Sequence, residues 1–140
     1  MSDQTVFVLD PRLEGDSVPV CDLGLCTVRL MNDARFPWVI LVPRIADLAE
    51  LIDLSEADRR TVTDEIDRVT RALSSHTSAE KMNVAALGNM VRQLHVHVIA
   101  RFAGDAAWPG PIWGVGTADT YAAQDRTERV AALKSALIGA

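Results

Sequence analysis

The fold is decided by residues 88–101, which read GNMVRQLHVHVIAR. From residue 93 onward polar and apolar residues alternate, and this period of two predicts a β-strand over about residues 93–101. Successive side chains of a strand point to opposite faces, so Gln93, His95 and His97 are expected in one row. With a rise of about 3.3 Å per residue, the two histidines would lie roughly 7 Å apart. Both imidazoles can then address one anionic ligand.

Imidazole is suited to nucleophilic or proton-carrying chemistry, because its unperturbed pKa of about 6.5 leaves it partly neutral at pH 7. Two other interpretations of the pair stay open: a strand that shows its polar face to water, and a metal site. Zinc needs three or four ligands, and the other candidates, among them His76, Cys21 and Cys26, follow no recognised spacing. A serine hydrolase is poorly supported, because the sequence has no GxSxG turn and no serine immediately beside the pair.

The segments on both sides of this strand predict a single α+β domain. Further strands are predicted at residues 6–9, 27–31, 38–42 and 82–87. The apolar run 38–42 is expected to be central, and 82–87 is expected to pair antiparallel with the histidine strand. Helices are predicted over about 55–74, beginning at a capping serine, and over 121–137. We therefore expect residues 1–140 to form one domain, with a C-terminal loop and helix at 106–140.

Composition narrows the classes of function. The 140 residues are 49% hydrophobic and 24% charged, as in an ordinary globular domain. The net charge of -5 gives the chain no general attraction for nucleic acid or for an anionic membrane surface. No apolar stretch approaches the roughly 20 residues of a membrane span, and the first residues do not resemble a secretory signal. We expect a cytoplasmic protein in which Cys21 and Cys26 are free thiols.

Residues 88–101, followed by Ala103-Gly104-Asp105, resemble the signature of the histidine triad (HIT) superfamily. That signature alternates histidine with hydrophobic residues, is often followed by an arginine and, in the dinucleoside-polyphosphate branch, by a Gly-Asp pair. Residues 30–44 are similar to the family's strand-turn-strand, and the helix that begins near Ser55 stands where the family has its long helix. The specific part of the match covers roughly residues 83–105.

The resemblance implies a HIT-like fold: a mainly antiparallel, five-stranded sheet with a long helix packed on it and a C-terminal helix, commonly assembled as a homodimer. It also implies a reaction, the transfer of a nucleotidyl group from a nucleoside phosphoramidate, a dinucleoside polyphosphate or a similar conjugate to water or another acceptor. The expected ligand is a purine nucleotide or a conjugate of one. No metal or cofactor is expected, because neutral imidazole and amide groups supply both the nucleophile and donors for phosphate oxygens.

The resemblance assigns a role to each position of the signature. His95 matches the central histidine, which attacks the α-phosphorus and becomes a nucleotidyl-histidine, and His97 matches the third, which contacts the phosphate. The first position is Gln93 in place of histidine, and an amide neither gains nor loses a proton near pH 7. Three outcomes stay open: an enzyme whose leaving group needs little acid help, an enzyme in which His97 supplies the proton, and a nucleotide-binding or regulatory module without turnover.

Binding residues also follow from the resemblance. Asn89 stands just after the glycine of the family's Gly-Gln/Asn stretch and is expected to bind phosphate oxygens, with Asn83 as a second amide donor. Asp33, or its neighbour Asn32, matches the residue that accepts the ribose hydroxyls.

Three further residues have two interpretations each. Trp108 and Trp113 flank the Pro-Gly-Pro of residues 109–111, and they predict either a wall of the ligand pocket or aromatic plugs over the end of the core. Arg101 directly follows the histidine strand, where it would either face a phosphate or pair with a carboxylate.

Overall fold

The computed structural model describes residues 6–140 and contains one five-stranded sheet with three α-helices. Residues 1–5, which the one-domain prediction includes, lie outside the described part. In chain order the elements are α1 (Pro11–Asp16), β1 (Ser17–Asp22), β2 (Cys26–Met31), β3 (Trp38–Pro43), a 3₁₀ turn (Leu51–Asp53), α2 (Glu56–Thr77), β4 (Lys81–Ala85), β5 (Val96–Arg101) and α3 (Ala123–Ile138).

The strands lie in the order β1-β2-β3-β5-β4, and every neighbouring pair is antiparallel. The α+β prediction with an antiparallel five-stranded sheet, a long helix and a C-terminal helix is therefore confirmed. The apolar run 38–42 forms the central strand, as its lack of polar residues predicts. None of the helices described for residues 6–140 is long and apolar enough to cross a bilayer.

The predicted strand at residues 6–9 is wrong, and the fifth strand is β1. Val6 and Val8 are exposed, and residues 6–10 approach the sheet without joining it as a strand. The prediction missed β1 because Pro19 lies in its middle. A proline is tolerated there because β1 is an edge strand, where one backbone N–H needs no ladder partner.

One face of the sheet carries the main core. Ser55 caps α2 by accepting a hydrogen bond from the backbone N–H of Asp58, which fixes where the helix begins. Helices α2 and α3 then pack their apolar faces onto the sheet, and the buried cluster includes Val28, Leu41, Val98, Val69, Leu73 and Leu133. This layer packs against β3 and β5 on the face opposite to the histidines.

The opposite face carries the histidines and is covered in part by α1 and in part by the C-terminal loop. His97 pairs in register with Ile40 of β3 and Ala85 of β4, so these residues lie on the same side of the sheet. Part of this side is covered by Leu13 of α1, which packs on Ile40 and Val42. Another part is covered by the C-terminal loop, whose Ile112 packs on Phe36 and Ile99. His97 therefore lies on the face of the sheet that α1 and the C-terminal loop cover.

Glu65 is a buried carboxylate in the middle of α2 that the sequence did not single out. Its two oxygens accept hydrogen bonds from the backbone N–H groups of Leu25 and Cys26, at 3.0 and 2.7 Å. It thereby ties α2 to the turn between β1 and β2. Cys21 and Cys26 are both free thiols, and burial raises the pKa of Cys26 far above its usual range.

Candidate active site

The two histidines of the signature lie at the beginning of β5. His95 and His97 are 7% and 5% exposed, and their ring centroids are 4.8 Å apart. The strand itself begins at Val96, so the prediction of a strand from residue 93 is three residues too long. The reason is that residues before Val96 bond to other segments: the backbone N–H of Leu94 donates to the carbonyl of Leu48. Gln93 and His95, two of the three residues predicted in one row, therefore lie on irregular backbone before the strand.

His95 has its ring orientation fixed by its own chain. Nδ1 of His95 lies 2.6 Å from the backbone carbonyl oxygen of Gln93. A carbonyl only accepts hydrogen bonds, so this bond requires the proton of a neutral His95 to be on Nδ1. The other nitrogen, Nε2, then carries an unshared electron pair. This tautomer is the one that a nucleophilic imidazole needs.

His97 is enclosed by aromatic rings. Trp38 donates its indole N–H to Nδ1 of His97 at 2.9 Å, and the two ring centroids are 5.7 Å apart. Trp113 of the C-terminal loop packs against His97 in an edge-on arrangement with centroids at 5.1 Å. Burial, and secondarily the nearby His95, lowers the pKa of His97 from about 6.5 to about 4. His97 is therefore neutral at pH 7.

The depressed pKa of His97 predicts that the protein loses stability in mild acid. Between pH 6.5 and about 4 the unfolded chain binds a proton at this residue that the folded protein does not bind. The free energy of unfolding should therefore fall as the pH drops through this window, by up to roughly 3 kcal/mol from His97 alone. His97→Asn, whose amide does not titrate but can still accept from Trp38, should remove that part of the pH dependence. Urea unfolding of both proteins at pH 7 and pH 4.5 measures it, and equal losses in the two proteins would contradict the prediction.

Gln93 is engaged with the N-terminal segment. Its side-chain oxygen accepts from the backbone N–H of Asp10 at 2.8 Å, and its side-chain nitrogen donates to the carbonyl of Val8 at 2.9 Å. Arg12 adds a third tie, because its guanidinium donates to the carbonyl of Met90. Both ends of the Gln93 amide are thus used to hold residues 8–10 beside the histidines.

The two predicted amide donors are placed differently. Asn89 is exposed in the loop between β4 and β5, next to Gly88. Gly88 has φ of +75°, a left-handed conformation that favours glycine, and it lines the same cavity as His95. Asn83 is half-buried in β4, and its side-chain oxygen accepts from Arg101 at 2.8 Å. Its NH₂ group is the part of Asn83 that is left to donate.

Asp33 and Asn32 hold the segment that leads into α3. The Asp33 carboxylate is buried and forms a two-pronged ion pair with Arg35, with Oδ2 at 2.9 Å from Nη2, and it also accepts from the backbone N–H of Asp119. Hydrogen bonds from Arg35 lower its pKa against the opposing effect of burial. Asn32 accepts from the backbone N–H of Tyr121. The side-chain oxygens of both residues, which were predicted to accept the ribose hydroxyls, thus already accept hydrogen bonds from the protein.

Two adjoining cavities lie beside the signature. One of about 210 Å³ is lined by His95, Gly88 and a mainly apolar wall that includes Leu51 and Leu87. The second, of about 560 Å³, is lined by Gln93, Arg92, Asp47 and the exposed side chains of the N-terminal segment. Ala49 lines both, so the cavities are neighbours. The larger cavity is within the range of roughly 300–1,000 Å³ that is typical of small-molecule sites, and the smaller one, which His95 lines, is below that range.

Arg101 and Asp105 organise the C-terminal loop, and the structure supports the carboxylate interpretation of Arg101. Arg101 is 1% exposed and forms a two-pronged ion pair with Asp105 at 2.8 and 3.0 Å. Its guanidinium also donates to Asn83 and to the carbonyl of Gly110. Trp108 lies over this guanidinium and is partly exposed, whereas Trp113 packs on His97. The loop thus covers part of the core and packs Trp113 against His97, and neither tryptophan lines the two cavities described above.

Trp38 and Asp105 are site residues whose roles the sequence did not predict. A signal existed for Asp105, because it follows Arg101 by four residues in the Gly-Asp pair of the signature. The contact between Trp38 and His97 could be predicted only from the strand register, which pairs Ile40 with His97 and places Trp38 two residues away on the same face. That register is a property of the folded sheet.

Residues 6–140 offer no set of ligands that would support a metal site at the histidine pair. That part of the chain has no group of three or more His, Cys, Asp or Glu side chains arranged to hold a metal ion. Cys26 is buried behind the sheet in the helix-side core, and His76 is in the last turn of α2.

Comparisons with known proteins agree with the fold and the signature. The family model described as HIT domain matches residues 12–104. Among solved structures, a histidine triad protein from Sinorhizobium meliloti 1021 is 50% identical, with a TM-score of 0.92 over 94% of this chain and 97% of that one. One from Bradyrhizobium japonicum is 44% identical, with a TM-score of 0.93 over 95% and 99% of the two chains. One from Marinobacter aquaeolei VT8 is 40% identical, with a TM-score of 0.92 over 95% and 97%. The search of curated proteins found no match.

Proposed function

This chain belongs to the HIT domain family, a superfamily of nucleotide-binding proteins and hydrolases, and we propose that it is a nucleotidyl hydrolase or transferase that uses His95 as its nucleophile. The substrate class is a nucleoside phosphoramidate, a dinucleoside polyphosphate or a similar purine nucleotide conjugate. The acceptor is water or another nucleophile. We further propose that the protein acts in the cytoplasm as a homodimer and needs no cofactor.

The observation that carries this proposal is the hydrogen bond between Nδ1 of His95 and the carbonyl of Gln93. It places the electron pair of the neutral ring on Nε2, and His95 lines a cavity beside the Gly88 turn. A structural histidine on a water-facing strand has no need of this arrangement. Here the ring is 7% exposed, its tautomer is set by the backbone, and the neutral ring of His97 lies against it.

The proposed reaction has two displacements at one phosphorus. Nε2 of His95 uses its electron pair to form a bond to the α-phosphorus, while the bond to the leaving atom breaks and its electron pair departs with that atom. Water then attacks the same phosphorus, the phosphorus–nitrogen bond breaks with its electron pair returning to Nε2, and the proton of the water passes to solvent. The covalent intermediate divides one difficult displacement into two easier ones.

Donors around the phosphate would stabilise the transition state. His97 is assigned to a phosphate oxygen because it is neutral and lies 4.8 Å from His95, ring to ring. Asn89 is assigned to phosphate oxygens because it is exposed next to the glycine that lines the His95 cavity. Asn83 is a further amide donor through its NH₂ group. For Asp33 and Asn32 the ribose role stays a prediction.

A second candidate function, a nucleotide-binding or regulatory module without turnover, is favoured by Gln93. This residue cannot protonate a leaving group, and both ends of its amide are bonded to the N-terminal segment. The two functions differ in one observable, the covalent nucleotidyl-histidine. A binding module would hold a nucleoside monophosphate without ever forming it.

The test follows AMP release from adenosine phosphoramidate and from diadenosine tetraphosphate with EDTA present, combined with quenching in an alkaline denaturant, which preserves a phosphorus–nitrogen bond to histidine, and mass spectrometry of the protein. An enzyme of the proposed type releases AMP despite the chelator, and the quenched protein carries one adenylate on the peptide that contains His95. AMP binding by calorimetry without AMP release or adduct would establish the binding module instead. Absence of both turnover and nucleotide binding would overturn both functions.

A further inference from the structure

Trp38, the first residue of β3, determines which nitrogen of His97 carries the proton. Its Nε1 lies 2.9 Å from Nδ1 of His97, with the two ring planes 41° apart. An indole N–H donates and never accepts, so Nδ1 of His97 has to be the acceptor and keeps its electron pair. The proton of a neutral His97 is then on Nε2. His95 has the opposite tautomer, because its Nδ1 bonds to a carbonyl.

We propose that Trp38 is a positioning residue that fixes His97 as a hydrogen-bond donor through Nε2–H, and that the site therefore favours conjugates whose leaving group departs as an anion. The inference rests on the proposed function, since it concerns the phosphate that His95 attacks. The neutral ring stabilises negative charge on a phosphate oxygen by donating its hydrogen bond, and it keeps the proton while doing so.

The surroundings of His97 prevent it from acting as an acid. To become an imidazolium, the ring would need a proton on Nδ1, where the indole N–H of Trp38 is already directed. The His97 ring is 5% exposed and is surrounded by the rings of Trp38, Trp113 and His95. None of these three side chains carries a negative charge that would stabilise an imidazolium. Burial accordingly lowers the pKa of His97 to about 4.

Gln93, at the other motif position beside His95, supplies no proton either. Its NH₂ group donates to the carbonyl of Val8, and an amide does not transfer this proton near pH 7. An amine leaving group, which has to be protonated as the phosphorus–nitrogen bond breaks, therefore finds no acid at either position. The terminal phosphate oxygen of a nucleoside polyphosphate leaves with the electron pair of the broken bond and needs no proton.

The first part of the test reads the tautomer without any substrate. Nitrogen-15 NMR of the His97 ring is compared in ligand-free wild type, in Trp38→Phe and in Trp113→Phe at pH 7. Trp113 is the matched control, because it also packs on His97 but is not its hydrogen-bond partner. We expect an unprotonated Nδ1 in wild type and Trp113→Phe, and a mixture of both tautomers in Trp38→Phe. A protonated Nδ1 in the wild type overturns the inference even if Trp38→Phe fails to fold, and so does an unchanged tautomer in folded Trp38→Phe.

The second part measures selectivity as the ratio of kcat/KM for diadenosine tetraphosphate to that for adenosine phosphoramidate. We expect wild type to favour the tetraphosphate by about tenfold or more. In Trp38→Phe the Nδ1 of His97 is free to take a proton, and this ratio should therefore fall severalfold. A wild type that prefers the phosphoramidate, or a ratio that is equal in both proteins, overturns the selectivity. If wild type turns over neither compound, the proposed function and the selectivity fail together, while the NMR result still decides the role of Trp38.

Discussion

Replacing His95 with alanine is expected to lower turnover at least about 10³-fold, because the side chain that forms the covalent bond is removed and water alone has to attack the phosphorus. The effect should be on kcat, with nucleotide affinity largely kept, since the phosphate donors assigned to His97 and Asn89 remain. The measurement is AMP release from both substrates under single-turnover conditions, together with calorimetric binding of AMP. No adenylated protein should be found after quenching in an alkaline denaturant.

His76→Ala is the control for this experiment. His76 is an exposed histidine in the last turn of α2, away from the signature, and its removal should leave turnover unchanged. Thermal unfolding of both variants shows whether a loss of activity reflects a loss of fold. Turnover that survives in folded His95→Ala would refute the covalent mechanism.

Arg101→Ala is expected to destabilise the protein by roughly 3–5 kcal/mol, because it leaves a buried carboxylate without its cation. Arg101 and Asp105 are 2% and 7% exposed in their side chains, and the guanidinium holds the pKa of Asp105 far below its ordinary value. Asp105 also accepts from the backbone N–H groups of Phe102, Ala107 and Trp108. Loss of the pair should therefore also loosen the loop that places Trp113 against His97.

Urea unfolding at pH 7 measures this effect, and the chain offers a matched control. Arg71 pairs with Asp67 at the same spacing of four residues and at 2.8 Å, but both side chains are largely exposed. Arg71→Ala should cost under about 1 kcal/mol, because water screens the pair and solvates the partner that is left. Similar losses in the two variants would show that burial of the Arg101–Asp105 pair contributes little. Arg101→Lys should not restore stability, since an ammonium group cannot bind both carboxylate oxygens in the same fork geometry.

Much of the fold follows from local pattern. The alternation in residues 93–99, the unbroken apolar run 38–42 and the capping serine before α2 predicted strands and a helix that the structure contains. These signals are readable because strand and helix periods are set by backbone geometry over a few residues. The strand predicted at 6–9 is wrong because composition cannot tell which short apolar segment finds a hydrogen-bonded neighbour, whereas β1 was missed because Pro19 interrupts its strand pattern.

The sequence by itself determined the family, the antiparallel α+β fold and the histidine pair with glutamine at the first position. Only the tertiary structure decided what those residues bond to. Gln93 forms hydrogen bonds with Val8 and Asp10, more than 80 positions away in the sequence, and Trp38 forms one with His97, 59 positions away. The spacing of residues along a chain specifies which face of a strand a side chain occupies. The tautomer and the charge of a buried imidazole depend instead on the partners and the burial that folding brings to it.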